Sequence, residues 1–256
     1  MIAPAAALGL ARSLLVYHGQ PWRTRALRRF YGALVPPGAL VFDIGAHVGN
    51  RSRILLAQKA RVVAVEPQRI FHDLLLRSIG RRGAVVLRAA VGAQVGEAEL
   101  QVSSLHPTVS TLAEDWRRAV SATPGFAGVR WDRSERVPVT TLDALVAEHG
   151  RPDFCKIDVE GHEAEILKGL SAPLPLLAVE YLAEAPAVAH ACLAQFARLG
   201  AYEFNAVAGE RHRFVAPGWV RATDAPAFLD RLCAETGNGD LYARLVVPPP
   251  AADAPR

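Results

Sequence analysis

From residue 39 onward, short apolar runs alternate with helical stretches, and this alternation limits the folds open to the 256-residue chain more than any other feature. Apolar runs of strand length that are separated by helices predict right-handed strand–helix–strand units and a parallel sheet. The sequence therefore predicts an α/β fold with helices on both faces of a mostly parallel sheet. The predicted strands are 40–43, 61–66, 84–87, 97–103, 136–140, 153–158, 174–181, 202–207 and 240–247. The predicted helices are 10–17, 24–34, a segment that starts near 50, 68–79, 141–149, 162–170 and 187–199.

Proline and glycine residues divide the chain into three parts. Two helical stretches precede Pro36-Pro37-Gly38, so residues 1–38 predict a helical arm that caps the main domain. Residues 39–247 predict one domain, within which the turn-rich residues 104–136 are the expected substrate loop. The proline- and alanine-rich residues 248–256 predict a disordered tail.

The charge distribution and the cysteines indicate the class of partner and the compartment. Five arginines and no acidic residue precede Asp43, so the arm carries +5 and the rest of the chain −1, which together give the net charge of +4. These arginines lack the dense clustering and interleaved aromatic residues of nucleic-acid-binding surfaces. We expect a solvated helix face and no nucleic-acid partner, and contact with an anionic membrane surface stays open. The alanine-rich start resembles neither a signal peptide nor a membrane span, and three widely spaced cysteines favour a reduced, cytoplasmic protein.

A glycine-containing turn follows the first predicted strand. Residues 41–50 read Val-Phe-Asp-Ile-Gly-Ala-His-Val-Gly-Asn, an apolar strand and a turn that opens a helix. Gly45 and Gly49 allow a tight turn and a close approach to a ligand, and the helix start offers free N–H groups. The segment predicts a nucleotide-type site, with a purely structural turn as the alternative.

Two ligand classes compete for this turn. A dinucleotide-binding turn requires G-x-G-x-x-G, whose middle glycine admits the pyrophosphate, and here His47 occupies that position. The negative charge of Asp43 would repel a pyrophosphate, whereas it attracts the ammonium group of S-adenosylmethionine. The residues therefore favour S-adenosylmethionine over a nicotinamide dinucleotide.

The second predicted strand ends in Glu66, followed by Pro67. A carboxylate at the carboxyl end of this strand can accept hydrogen bonds from both hydroxyls of a ribose. A helix cap is the alternative for Glu66, but two acids at adjacent strand ends, beside one glycine turn, favour a shared ligand site.

The segment from Asp153 to Glu163 places three acids and an imidazole within six residues, where a strand becomes a helix. Methylation of a hydroxyl requires in-line attack and removal of a proton, which a carboxylate or imidazole can accept. We expect Asp158 near the donor methyl group and Glu160 or His162 near the acceptor, while Glu163 favours a structural role at the helix start. Asp158, Glu160, His162 and Glu180 also offer hard metal ligands, but no metal spacing is recognisable and no metal is predicted.

Residues 41–50, 63–67, 139–145 and 154–169 together resemble the FkbM-type family of S-adenosylmethionine-dependent methyltransferases. The most specific phrase is Lys-Ile-Asp-Val-Glu-Gly-His-Glu at 156–163, followed by Ile-Leu-Lys-Gly at 166–169. The resemblance implies a class I methyltransferase sheet of seven strands in the order 3-2-1-4-5-7-6 with the last strand antiparallel. It also implies O-methylation of a hydroxyl on a sugar, glycan or secondary metabolite.

The expected function is methyl transfer from S-adenosylmethionine to a hydroxyl group. The rivals are a non-catalytic scaffold that keeps the fold and a nicotinamide-dependent oxidoreductase, and the oligomeric state stays open. The predicted catalytic residues are Asp158, Glu160 and His162, and the predicted donor-binding residues are Asp43, Gly45, Ala46, His47, Gly49, Asn50, Glu66, Pro67 and Asp158.

Overall fold

The computed structural model describes residues 8–14 and 21–246 of the chain, and residues 8–14 are helical. The strands are β1 Leu40–Ile44, β2 Arg61–Val65, β3 Val85–Leu87, β4 Ala90–Val91, β5 Gly96–Val102, β6 Arg133–Thr140, β7 Phe154–Ile157, β8 Leu176–Leu182, β9 Tyr202–Ala208, β10 Val220–Arg221 and β11 Asn238–Leu245. The further α-helices are α1 Pro21–Leu34, α2 Asn50–Ala57, α3 Arg69–Ser78, α4 Glu114–Ser121, α5 Leu142–His149, α6 Glu163–Lys168, α7 Pro186–Leu199 and α8 Ala225–Thr236.

Eight strands form the main sheet in the order β10-β9-β11-β8-β7-β1-β2-β3. The strands from β3 to β8 along this order pair in parallel, and β11 is antiparallel to both β8 and β9. Without the two-residue edge strand β10, the order is 3-2-1-4-5-7-6 with the last strand antiparallel. The predicted fold class is therefore confirmed, and the sheet has one strand more than expected.

A second, three-stranded sheet has the order β4-β6-β5. The predicted strands 97–103 and 136–140 both belong to this sheet, where β5 and β6 pair antiparallel. Leu100, Val102 and Val137 form its small core, while alternate residues face solvent, as is common in antiparallel sheets. This sheet forms one wall of the candidate site described below.

The main sheet is buried on both faces because helices cover each one. Along β1, Leu40, Phe42 and Ile44 pack into the core that includes α6, α7 and α8. Val41 points to the opposite core, which includes α1, α2 and α3. Because alternate side chains of β1 enter two buried cores, the strand is apolar at every position except Asp43.

Both described parts of the arm contact the domain. On α1, Phe30 and Tyr31 pack into the core on the Val41 face, and the Phe30 ring lies 5.5 Å from the Tyr242 ring. In the helix 8–14, a Cβ atom on Gly9 would lie 2.3 Å from the carbonyl oxygen of Ser104, so this helix contacts the expected substrate loop. The predicted helix 10–17 lies partly, and the predicted tail 248–256 wholly, outside the described residues.

None of the helices in the described ranges combines the length and the apolar character needed to cross a bilayer.

Candidate active site

A cavity opens at the carboxyl edge of the main sheet, between the ends of β1 and β2 and the small sheet. Open parallel sheets bind their ligands at this edge. The cavity holds about 550 Å³ of empty space, including the part that is open to solvent. Its lining residues are Ile44, Gly45, His47, Val65, Glu66, Pro67, Gln68, Ala89, Ala90, Val91, Leu100, Pro107, Thr108, Ser110, Leu112, Asp158, Val159, Glu160 and His162.

The turn after β1 requires its two glycines. Gly45 has φ +79°, and a Cβ atom there would lie 1.9 Å from the carbonyl oxygen of Asp158. Gly49 has φ +73°, and a Cβ atom there would lie 2.6 Å from the Leu75 side chain. Only glycine fits either position without displacing its neighbour. At Gly45 the turn therefore passes close to the end of β7.

Asp43 lies beneath this turn and does not line the cavity. Its carboxylate accepts a hydrogen bond of 2.5 Å from the Ser52 hydroxyl on α2, and only 3% of the residue is exposed. Burial raises its pKa although the Ser52 bond opposes the rise. Ala46, Gly49 and Asn50 also lie outside the lining, and the Asn50 side chain accepts a hydrogen bond from the Arg51 N–H. The donor-binding roles of these residues stay predictions.

Glu66 is buried at the end of β2 with its carboxylate on the cavity wall. One oxygen accepts a 2.9 Å hydrogen bond from the His47 N–H, and the other a 2.8 Å bond from the Gln68 N–H. Burial raises the pKa of Glu66 to about 7, although both backbone bonds lower it. Since each carboxylate oxygen has a second lone pair, Glu66 can still accept two hydroxyl protons from a ligand.

His47 has a positive φ of 49° and also lines the cavity. Its ring centre lies 4.1 Å from that of Phe71 on α3. The ring thus packs against α3, while the N–H of the same residue donates to Glu66.

Asp158 follows β7 and forms ion pairs with two cations. The Arg51 guanidinium lies 3.1 Å from its carboxylate, and the ammonium of Lys156 lies 3.3 Å away. Burial alone would raise the pKa of Asp158, but Lys156 and Arg51 lower it below its usual value. Asp158 is therefore a fixed negative charge on the cavity wall.

A second carboxylate completes this buried group. Asp240 at the start of β11 lies 3.0 Å from the Lys156 ammonium and 3.6 Å from the Arg51 guanidinium. Lys156 is only 1% exposed, and a buried charge of this kind needs paired counter-charges. Two cations and two carboxylates thus balance, and they join β7, α2 and β11 beneath the cavity.

The sequence did not lead us to assign roles to Arg51, Lys156 or Asp240. The strand position of Lys156 was a usable signal, because a lysine inside an apolar strand requires a partner. Its partner Asp240 lies 84 residues further along the chain, in a strand that is not adjacent to β7. Nothing local in the sequence indicates that contact.

Glu160 is held in an unusual backbone conformation, with φ 57°. Its carbonyl oxygen accepts a 2.6 Å hydrogen bond from the Thr111 hydroxyl. The next residue, Gly161, packs so closely on Trp116 that a Cβ atom would lie 2.2 Å from the indole. Non-glycine residues adopt such conformations at a cost and only where their surroundings enforce them. The segment that contains Thr111 and Trp116 therefore fixes the turn that presents Glu160.

Thr111→Val is expected to lower the turnover number by about tenfold, because it removes the hydroxyl that holds Glu160 without changing the shape of the side chain. The affinity for S-adenosylmethionine, the donor that the sequence predicts, is expected to stay within about twofold, since Thr111 does not line the cavity. Steady-state kinetics and donor titration measure the two quantities. Thr111→Ser keeps the hydroxyl and is expected to restore turnover; equal loss in both variants would contradict a positioning role.

Three carboxylates meet beside the cavity. One oxygen each of Asp158, Glu160 and Glu180 lies within 4.8 Å of the other two, close enough for a single cation. Burial raises the pKa of Glu160 well above its usual value, and Asp158 adds to the rise. Burial and Glu160 raise the pKa of Glu180 in the same way. Glu160 and Glu180 therefore bind protons more tightly than ordinary carboxylates, and the absence of a metal stays a prediction.

His162 and Glu163 have different surroundings. His162 lines the cavity, and burial lowers its pKa, so the imidazole is neutral near pH 7. Glu163 is 1% exposed, and its carboxylate accepts hydrogen bonds from the N–H groups of Val159 and Gly161. These contacts agree with the structural role that the sequence favoured for Glu163.

The sheet order, the glycine turn and the acid at the end of β2 together define the class I methyltransferase architecture. The family model described as the methyltransferase FkbM domain matches residues 43–185, more than half of the chain. The chain belongs to the FkbM family of S-adenosylmethionine-dependent methyltransferases, as the resemblance implied, and S-adenosylmethionine is its cofactor.

Two curated relatives show how far the likeness extends. The chain is 28% identical to the hexuronic acid methyltransferase AglP of Haloferax volcanii over 161 residues, 60% of this chain and 61% of the relative. It is 29% identical to the AMB antimetabolite synthetase AmbE of Pseudomonas aeruginosa over 169 residues, 54% of this chain and 8% of that protein. The chain thus spans less than two thirds of the length of either relative.

Similar solved structures have low sequence identity. A TehB-like S-adenosylmethionine-dependent methyltransferase from Corynebacterium glutamicum is 13% identical, with a TM-score of 0.45, over 86% of this chain and 88% of that one. An O-methyltransferase from Bacillus cereus in complex with S-adenosylhomocysteine is 14% identical, with a TM-score of 0.41, over 93% and 90% of the two chains.

Proposed function

We propose that the protein transfers a methyl group from S-adenosylmethionine to a hydroxyl group of a sugar, glycan or related metabolite. The observation that supports this proposal is that residues suited to the donor and residues suited to the acceptor line one and the same cavity. Glu66 lines this cavity and can accept hydrogen bonds from the hydroxyls of a ribose. Side chains that can accept a proton, among them Glu160 and His162, line the same cavity. A donor that binds at the first place can therefore present its methyl group at the second.

The donor site fits S-adenosylmethionine in the chemistry of its residues. Glu66 would accept the ribose hydroxyls, and Gly45, His47 and Pro67 would form the adjoining wall. Asp158, which Lys156 and Arg51 keep ionised, would place a negative charge near the positively charged part of the donor. S-adenosylmethionine supplies an electrophilic methyl group on a sulfonium centre.

On the acceptor side, the chain must orient a hydroxyl and remove its proton. His162 is neutral near pH 7 and can take that proton, and Glu160 can accept it directly or share it with Glu180. Because Glu160 is presented by a fixed turn, it can also hold the hydroxyl in line for attack. We assign Glu160 and His162 to proton removal and Asp158 to electrostatic support.

A sugar acceptor is supported by two observations. The curated relative AglP is named a hexuronic acid methyltransferase, and the cavity lining includes the polar residues Thr108 and Ser110. The helix 8–14 contacts the loop that contains these residues, which supports the proposal that the arm at 1–38 caps the acceptor side. The cytoplasmic location and the absence of a nucleic-acid partner stay predictions.

Transfer of a labelled methyl group tests this function. The purified protein is incubated with methyl-labelled S-adenosylmethionine and a panel of hexuronic acids, neutral sugars and amines, with and without a chelator. We expect a methyl ether on a sugar hydroxyl, identified by its carbon chemical shift, and equal turnover after chelation. Exclusive formation of a methyl ester or an N-methyl product would contradict O-methylation of a hydroxyl, and loss of activity on chelation would assign a metal to Asp158, Glu160 and Glu180.

A further inference from the structure

A buried acceptor atom of one residue that lines the cavity has no hydrogen-bond partner within the described residues. Gln68 lines the cavity and is only 5% exposed. Its amide nitrogen donates a 3.0 Å hydrogen bond to the carbonyl oxygen of Pro107. Its amide oxygen Oε1 is buried and makes no hydrogen bond within the described residues. Buried polar atoms are nearly always paired, so an unpaired one in a residue that lines a binding cavity indicates a ligand group that completes it.

The orientation of this amide is determined by its neighbours. The Pro107 carbonyl can only accept, so it selects the nitrogen of the Gln68 side chain, and the oxygen must point elsewhere. The nearby Ser110 hydroxyl also donates to Pro107, at 2.9 Å, and is not available to Oε1. The ligand group that completes the site must therefore be a hydrogen-bond donor.

The position of Gln68 relative to Glu66 identifies the part of the ligand. The Gln68 N–H is bonded to the Glu66 carboxylate, to which we assign the ribose hydroxyls. The base of the donor is attached to that ribose, and the apolar side chains Ala89, Leu100 and Pro107 form a wall that suits a flat base. The ring nitrogens of adenine are acceptors, and its 6-amino group is its one N–H donor.

We infer that Gln68 recognises the 6-amino group of the adenine of S-adenosylmethionine through Oε1. This inference rests on the donor site proposed above and extends it to the selection of the base. Gln68 thereby selects adenine against bases that present hydrogen or a carbonyl oxygen at this position, because either would leave Oε1 unpaired.

Isothermal titration with two ligands tests this inference. The ligands are S-adenosylhomocysteine and its analogue in which hydrogen replaces the 6-amino group. The wild-type protein is expected to bind S-adenosylhomocysteine about tenfold more tightly than the analogue. Gln68→Met has a side chain of similar length without the acceptor, and it is expected to bind both ligands with equal affinity.

The controls separate this role from folding and from the donor site. Gln195→Met makes the same change on α7, away from the cavity, and is expected to keep the tenfold preference; thermal unfolding verifies that both variants fold. A preference that persists in Gln68→Met, or its absence in the wild type, would overturn the role of Gln68 alone. Failure of the wild type to bind either ligand would overturn the donor site and this inference together.

Discussion

Glu66→Gln is expected to weaken the binding of S-adenosylhomocysteine by about 100-fold at pH 8. The Glu66 carboxylate accepts hydrogen bonds from His47 and Gln68 and keeps one lone pair on each oxygen for a ribose hydroxyl. Glutamine retains one acceptor oxygen, and its amino group would face a backbone N–H, so one charged hydrogen bond at least is lost. Isothermal titration measures the dissociation constants, and Glu203→Gln, at the opposite edge of the sheet, serves as the matched control.

The pH dependence of binding provides a separate test of the same residue. Only ionised Glu66 can accept both hydroxyls, and its pKa is raised to about 7 in the free protein. The ionised fraction falls as the pH decreases through 7, so the wild-type affinity is expected to fall about tenfold between pH 8 and pH 6. Glu66→Gln is expected to lose most of this dependence. A Glu66→Gln affinity equal to that of the wild type at pH 8 would contradict the assignment of Glu66 to the ribose hydroxyls.

His162→Ala and Glu160→Gln are expected to lower the turnover number by about 10²-fold to 10⁴-fold, the usual contribution of general acid–base groups. Their donor affinity is expected to change by less than about threefold, because Glu66 binds the donor at another part of the cavity. Single-turnover methyl transfer and donor titration measure the two effects. Wild-type turnover in both variants would leave only a structural role for the turn.

The pH profile distinguishes the contribution of the imidazole. Burial lowers the pKa of His162, so the neutral base is present above that pKa and is lost as the pH falls through it. The wild-type rate is therefore expected to decline on the acid side below pH 6.5, and His162→Ala is expected to lack that step. Glu163→Gln is the matched control, because Glu163 holds backbone N–H groups. It is expected to lower the unfolding temperature and, since Val159 and Gly161 flank Glu160, to lower turnover as well, while the acid-side step of the pH profile is kept.

Much of the fold could be predicted because each strand of the parallel sheet can be recognised from a short stretch of sequence. Buried strands such as β1 and β2 are continuous apolar runs, and the turns after them contain glycine or proline. The family resemblance then supplied the strand order. The small sheet was harder to predict, since the pairing of β5 with β6 joins segments separated by a long loop.

Two helices were missed although the chain contains signals for them. In α4, Trp116 and Val120 lie four residues apart and are both buried, with two acids in the first turn. In α8, Pro226 follows the helix start, and buried Phe228 and Leu232 share one face. The turn-rich flanks of α4 favour a loop at that segment. The predicted elements include no helix at the position of α8 (Ala225–Thr236). Helical periodicity is present in both, and in α4 the turn-rich composition of the flanks outweighs it.

The site was predictable where its residues adjoin in sequence and not where they meet through the sheet. Glu66 and His162 follow strand ends, and parallel strands bring such ends to one edge. By contrast, the pairing of Arg51 with Asp240 depends on the position of the antiparallel strand β11 beside β8. Gln68 was missed because its significance lies in a buried oxygen without a partner, which only the structure reveals.

Isothermal titration of the wild-type protein with S-adenosylmethionine, S-adenosylhomocysteine and NADH tests the central claim most directly. We predict saturable binding of the first two ligands at one site per chain and no measurable binding of NADH. Tight binding of NADH, or no binding of S-adenosylhomocysteine by folded protein, would contradict the assignment of the cavity beside Glu66 as a methyl-donor site.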